Sequence, residues 1–349
     1  MWNTVFGVTK EGKKAHRYIL VNNKGMRVEL SDFGALVLSI YVLDKYGRKR
    51  DVVLGYDNLM DYYEQNTGFG AYIGRNANRI AGAEVTIEDI KYLLDKNDNQ
   101  NNLHSGFNRS HHKLYSVRNG KTDACEFVEM ERYSPNMEQG FPGNLEQKIR
   151  YTLTDKNEFI IDYEMLSDMT TVVNPTNHSY FNLDGHNSGS VLQHTLTLEA
   201  DYFTPGDAQS IPTGEILPVE NTPMDFREGR KIGERIEEEY EPLRFGNGYD
   251  HNWVLKNKGN FEKVAELMAE ESGIVMETYT DRPGMQIYTA NFVENEVGKE
   301  GVVYGKRSAV CLETQCYPDA VHHENFPSPV YRAGEKYTAH TAFRFLIKK

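Results

Sequence analysis

Three consecutive segments between Ala124 and Thr171 constrain this chain most: ACEFVEMERY, LEQKIRYTLT and EFIIDYEMLS alternate apolar with polar residues and are separated by the turn clusters SPNMEQGFPGN and DKN. Side chains of a strand point alternately to two faces, so a period of two broken by turn residues marks antiparallel β-structure with one side buried. The same rhythm opens the chain in HRYILVN, GMRVELSDFG and ALVLSIYVLD, after which a KYGRK turn leads into DVVLGY as a hairpin. There Leu36, Leu38, Ile40 and Val42 form a wholly apolar face, and Val37, Ser39, Tyr41 and Leu43 a mixed one. AEVTIEDIKYLL reads as two short strands about a Glu-Asp turn, and GIVMETYT and GMQIYTANF flank the turn Asp281-Arg282-Pro283-Gly284. Helix is sparse. Its best candidate is RKIGERIEEEY (230–240), while Phe261, Val264, Leu267 and Met268 sit at helical spacing between flanks that look like strands.

A length of 349 residues allows two domains or one large all-β unit. No internal repeat or linker marks a boundary, so one domain over 1–349 is expected. The net charge of −12 disfavours nucleic acid and anionic membranes as partners and leaves a neutral small molecule as the easier match. With 22 Tyr and 16 Phe against 2 Trp, the aromatic balance suits sheets and polar binding clefts. Three cysteines, Cys125, Cys311 and Cys316, imply no disulfide framework and fit the cytoplasm. The N-terminal stretch has no apolar run of signal-peptide length, and Ala35 to Leu43 is far too short to span a bilayer.

Chemistry concentrates in a few polar stretches. NPTNHSYFNLDG (174–185) sets His178 between asparagines and the aromatic pair Tyr180-Phe181, with Pro175 pushing Asn174 to an extended backbone and Asp184-Gly185 closing a turn. His178 is thus expected at a strand end opening into a loop, either as a titrating group beside sugar-stacking rings or as a satisfied core histidine. In GFGAYIGRNANRIAG the glycines at 68, 70 and 74 miss the dinucleotide-binding spacing. Arg75 and Arg79 are solvated by default, although Asn78-Arg79 beside glycines also suits hydrogen bonds to hydroxyls. DKNDNQNN delivers His104 at the end of a loop, and His111-His112 read as exposed. Asp250, before the strand HNWVL, is either a turn cap or a hydroxyl acceptor. In AVCLETQ, Val310 and Leu312 point one way and Cys311, Glu313 and Gln315 the other. No histidine pair has HExxH spacing, and the adjacent pairs at 111 and 322 point apart, so no metal site is expected.

Six blocks in order, GRNANRIAG, NNLHSG, NPTNHSYFNLDGH, GYDHNWVL, MQIYTANF and LETQCYPDAVHHENFPSPVYRAGEKY, resemble the aldose 1-epimerase (galactose mutarotase) family almost end to end. The resemblance implies a large antiparallel β-sandwich with few short helices, in which 261–271 is strand despite its periodicity. It makes His178 the general acid and Glu313 the general base, with Asn78, Arg79, His104, Asp250 and Gln286 holding sugar hydroxyls. The departures are Ser105 for a common glycine, Trp253 for a usual phenylalanine, and Cys316-Tyr317 and His322 to Glu324 in the last loop; they bear on specificity.

The implied reaction exchanges α and β anomers of a free aldohexose such as D-glucose or D-galactose. One group takes the proton of the C1 hydroxyl while another protonates the ring oxygen, and both must give and take protons as the ring opens and recloses. No hydride or phosphate moves, so no cofactor is required. Three other readings compete: a silent sugar-binding module, which needs neither His178 nor Glu313; a glycoside hydrolase, which uses two carboxylates; and a sugar-phosphate epimerase, for which no basic phosphate cluster is evident. A monomer and a homodimer are equally compatible with the sequence.

Overall fold

The structure is a computed structural model that describes residues 2–65, 67–122 and 124–348. Antiparallel strands dominate it, in three principal sheets. The first winds from Trp2–Val8 through Lys14–Val21, Arg27–Ser31 and Leu36–Leu43 to Lys49–Asp51, in sequence order. A nine-stranded sheet runs in the order 116–121, 125–134, 145–154, 158–167, 336–347, 274–280, 262–268, 195–198 and 230–231; the three alternating segments noted first are its second to fourth strands. The third sheet has six strands ordered 180–181, 310–315, 284–288, 250–254, 202–204 and 217–218.

One continuous apolar core joins the sheets. Leu20, Val28 and Ile40 from the first meet Ile149, Ile161 and Phe343 from the second and Phe203, Trp253, Met285, Ile287, Val310 and Leu312 from the third. Phe181 packs on Phe343 at 4.9 Å between ring centroids, tying the third sheet to the second. Because alternate residues face opposite ways, the second face of the six-stranded sheet carries Asp250, Asn252, Gln286, Tyr288, Cys311 and Glu313. The register sets Gln286 beside Glu313 and Asp250 beside Tyr288. The catalytic candidates therefore stand on the side of these strands that does not face the main core.

Three expectations need correction. Residues 230–240 are not helical: Arg230–Lys231 pairs with the strand Thr195–Leu198, turns follow, and the helix is Glu241–Gly246, with Pro242 in its first turn. Ile232 and Ile236 are buried anchors of that turn-rich segment. His111 is buried, and His112 stacks over Phe33, so the pair is not exposed. Arg75 is 1% exposed, and its guanidinium donates to the carbonyls of Ser134, Pro135, Pro142 and Gly143. Residues 281–283 carry the chain between sheets, from Ile274–Thr280 in the nine-stranded one to Gly284–Tyr288 in the six-stranded one.

The stretch 261–271 is strand over Glu262–Met268, as the family resemblance implied. A register shift between Lys263 and Ala265 explains its misleading pattern. A bulge inserts one residue and resets which positions face the core, so Val264 and Leu267, three apart, are both fully buried.

Candidate active site

A cavity of about 240 Å³ opens on that outer face and is lined by Asn78, Arg79, His104, His178, Asp250 and Glu313, with Tyr180, Tyr288 and Phe292 as aromatic walls. Six of the seven residues singled out in the sequence thus converge, although they come from five separate stretches. The seventh, Gln286, does not line this cavity. It is buried behind Asp250 and donates from Nε2 to Asp250 Oδ1 at 2.7 Å, so it fixes the carboxylate.

His178 ends the three-residue strand Thr176–His178, which pairs with Ala71–Ile73. Its neighbours clamp it. Thr176 Oγ1 donates to the Thr314 carbonyl at 2.9 Å, Asn177 Nδ2 to the Gly70 carbonyl at 3.1 Å, and Asn174 Oδ1 accepts from the Cys316 N–H at 2.7 Å. The asparagine density of 174–182 is thereby explained, because side-chain amides satisfy backbone groups where short strands break off. The imidazole stacks on Tyr180, with centroids 4.9 Å apart and planes 19° from parallel. Tyr180 is in turn anchored by its hydroxyl, which donates to the Thr67 carbonyl at 2.7 Å.

His178 Nε2 lies 3.6 Å from Glu313 Oε1. Burial pushes the imidazole down to about 4, against the opposing pull of a backbone hydrogen bond and of Asp250. Burial also pushes the Glu313 carboxyl well above the usual range, Asp250 raises it further, and Arg79 only partly offsets both. Burial thus works against the charged form of both groups, pulling the imidazole down and pushing the carboxyl up. Glu313 Oε2 is buried with no hydrogen-bond partner among the described residues. An orphaned carboxyl oxygen of this kind costs stability and stands ready for a ligand hydroxyl.

Around the pair, the chain adopts unusual local geometry. Asn78, His104 and Ser105 take left-handed conformations at φ of 61°, 51° and 67°. His104 Nδ1 accepts the Asn78 N–H at 3.1 Å and the Asn78 carbonyl accepts the His104 N–H at 3.0 Å, which leaves Nε2 of His104 as an N–H donor. Burial holds His104 well below the usual histidine range, so it remains neutral. Arg79 gives its Nε–H to Asp98 at 2.7 Å, an ion pair that steers its guanidinium along the wall.

The departures from the family pattern avoid the cavity. Ser105 Oγ accepts from Asn76 N at 2.8 Å and donates to Asn76 O at 3.0 Å, so the hydroxyl braces the loop beneath Asn78. Trp253 is fully buried in the core and donates to the Met224 carbonyl. Cys316 Sγ donates to the Pro327 carbonyl, and His322 and His323 both approach Asp319, whose backbone N–H donates to Arg79 O. What sequence reasoning missed are Tyr288, Phe292 and Arg109, all on the wall. Tyr288 was reachable, since it shares a strand face with Gln286; nothing local distinguished Arg109 or Phe292.

An all-β sandwich that holds an imidazole and a carboxyl in contact at the base of a polar, aromatic-walled cavity defines an acid–base enzyme acting on a small hydroxylated molecule. The family described as Aldose 1-epimerase matches residues 16–344. Galactose mutarotase of Sus scrofa is 38% identical over 348 residues, covering 99% of this chain and 98% of that one. Aldose 1-epimerase of Escherichia coli is 33% identical over 351 residues, with both chains covered in full. Among solved structures, a GalM/aldose epimerase homologue from C. elegans superposes with a TM-score of 0.88 at 27% identity, covering 96% of this chain and all of that one. The chain belongs to the aldose 1-epimerase family, and it is an isomerase of that class.

Proposed function

We propose that this protein, acting as one domain, interconverts the α and β anomers of free aldohexoses such as D-glucose and D-galactose, with His178 and Glu313 exchanging protons with the substrate. The observation that carries the reading is the 3.6 Å contact between His178 Nε2 and Glu313 Oε1 on the cavity floor. The ring oxygen and the C1 hydroxyl are both bonded to C1, so two groups this close can engage both at once. Glu313 takes the hydroxyl proton as His178 protonates the ring oxygen; the bond from C1 to the ring oxygen breaks and the C1 carbonyl forms. Rotation about the C1–C2 bond and reversal of both transfers closes the other anomer.

Proton bookkeeping agrees with the electrostatics. After ring opening the pair consists of a neutral imidazole and a protonated carboxyl, the forms toward which burial shifts each group. The cyclic sugar requires the tautomer with the proton on His178. The two differ only in where one proton sits, so the cycle needs no exchange with solvent. Asn78, Arg79, His104 and Asp250 hold the hydroxyls, Gln286 orients Asp250, and Tyr288 and Phe292 cover the apolar ring face.

Polarimetry tests this directly. Fresh α-D-glucose or α-D-galactose should lose optical rotation faster with enzyme than without, and with no added cofactor. An unchanged rate at micromolar protein, with sugar binding intact, would leave a binding module instead.

A further inference from the structure

The proton-exchange function leaves one neighbouring group unused. Cys311 stands two residues before Glu313 on the strand Val310–Gln315, hence on the same face, and its Sγ is 3.5 Å from His178 Nδ1. Donor atoms of His178, Cys311 and Glu313 all lie within 4.8 Å of one another, the one such cluster of three among the described residues. They are 7%, 0% and 2% exposed, and Glu313 Oε2 has no hydrogen-bond partner among the described residues.

Imidazole nitrogen, thiolate sulfur and carboxylate oxygen are the donors zinc takes, and three protein donors leave a fourth position for water or substrate. Zinc bonds of roughly 2.0–2.3 Å set donors about 3.3–3.8 Å apart in a tetrahedron. The thiol-to-imidazole and imidazole-to-carboxyl contacts, 3.5 and 3.6 Å, fall in that range. They use opposite ring nitrogens, so coordination through one draws the remaining donor in from no farther than the 4.8 Å spread. A thiolate selects zinc over the hard cations magnesium and calcium. Charge favours the same ion: a dication with one thiolate, one carboxylate and a neutral imidazole sums to zero, which escapes the cost of an isolated buried charge. The thiol and carboxyl protons leave to solvent on coordination.

We propose that His178, Cys311 and Glu313 form an inhibitory zinc site that shares its imidazole and its carboxylate with the proton-exchanging pair. This rests on the function proposed above. Donor atoms committed to zinc exchange no protons, so the ion competes with aldose: the enzyme turns over without metal and is stopped by one.

The test uses the full chain, stripped with EDTA and dialysed. Zinc chloride at micromolar concentration should slow polarimetric turnover, excess aldose should oppose the inhibition, and EDTA should lift it. Cobalt(II), a spectroscopic stand-in for zinc, should give a thiolate-to-metal charge-transfer band. In Cys311→Ser, or Cys311→Ala if the serine variant folds poorly, that band should vanish and the inhibition constant should rise more than about tenfold. Cys125→Ser should change neither. An inhibition constant that is the same with and without the Cys311 thiol would overturn the site, as would a band that follows Cys125. The metal-free rate is read separately, so failure of the zinc site and failure of the anomerase reading are distinguishable.

Discussion

The two faces of the six-stranded sheet share strands, hydrogen bonds and register, yet they do opposite things. Toward the core, Trp253, Met285, Ile287, Val310 and Leu312 interlock with the nine-stranded sheet. Toward the cavity, alternating with them, stand the half-buried Asp250 and the buried Gln286, Cys311 and Glu313, and one Glu313 carboxyl oxygen has no hydrogen-bond partner among the described residues. The first face stabilises the fold by removing apolar surface from water. The second is unfavourable to folding, because burial pushes the Glu313 carboxyl well above its usual range and leaves its Oε2 without a partner among the described residues. A rigid sheet lets the two coexist one residue apart: the core face holds the strands so firmly that the cavity face need contribute nothing to stability.

The sharpest way to break this division is to change the cavity face alone. Glu313→Gln and His178→Asn should each bind sugar and lose about 10²- to 10⁴-fold in kcat. Because the two transfers belong to one ring-opening step, the double variant should be little worse than the slower single. Polarimetric kcat beside sugar affinity by calorimetry checks this; near-parent turnover in Glu313→Gln would show that another residue is the base.

Changing the core face should do the reverse. Leu312→Ala, one residue from Glu313, is expected to destabilise the protein by about 2–5 kcal/mol through lost burial and a cavity. At a temperature where it remains folded, its kcat should stay close to the parent's. Denaturant melts and polarimetry on the same sample decide; a large loss of kcat in fully folded Leu312→Ala would mean that the two faces are not separable.

Within the cavity face, position should grade the effect. Asp250→Ala and Arg79→Ala are expected to raise KM, with some loss of kcat from misplaced rings, whereas Gln286→Ala, which acts only through Asp250, should shift KM less. Equal constants in all three variants and the parent would place the sugar elsewhere.

The smallest effect is on stability, and its sign is the informative part. Glu313 has its folded pKa raised above the ordinary value of 4.5, so its contribution is fully present below that pH and is lost as pH rises through the folded value. Glu313→Gln, neutral throughout, should therefore melt higher than the parent at pH 7 and lose that advantage near pH 4. His178 is lowered from 6.5 to about 4, so the contribution of its neutral form is present above 6.5 and is lost as pH falls toward 4. His104 and His251, lowered by the same burial, should steepen that acid loss. Thermal melts between pH 4 and 8 measure both slopes.

Most of the fold was legible because its signals are local. Alternation in 125–134, 145–154 and 158–167 is a property of neighbouring residues, and those segments are strands with nearly the expected ends. Local reading failed where a residue answers to a distant partner. The spacing of Val264 and Leu267 reflects a bulge against Ile274–Thr280, and the burial of Ile232 and Ile236 reflects anchoring beneath a sheet edge. Arg75 looked like a surface cation until the carbonyls of 134–143, some sixty residues on, closed around it.

The site divides along the same line. By itself the sequence determined which face of 310–315 Glu313 occupies, since a period of two is set by strand geometry alone, and it brought out His178, Asn78, Arg79, His104 and Asp250 as polar groups framed by turns. Only the tertiary structure decided that His178 and Glu313, separated by 134 intervening residues, stand 3.6 Å apart, that Gln286 supports Asp250 rather than lining the cavity, and that the thiol of Cys311 faces the imidazole. It also decided their protonation, because a pKa depends on how much water and which charges surround a group, and those are set by strands that meet only once the whole sandwich has closed.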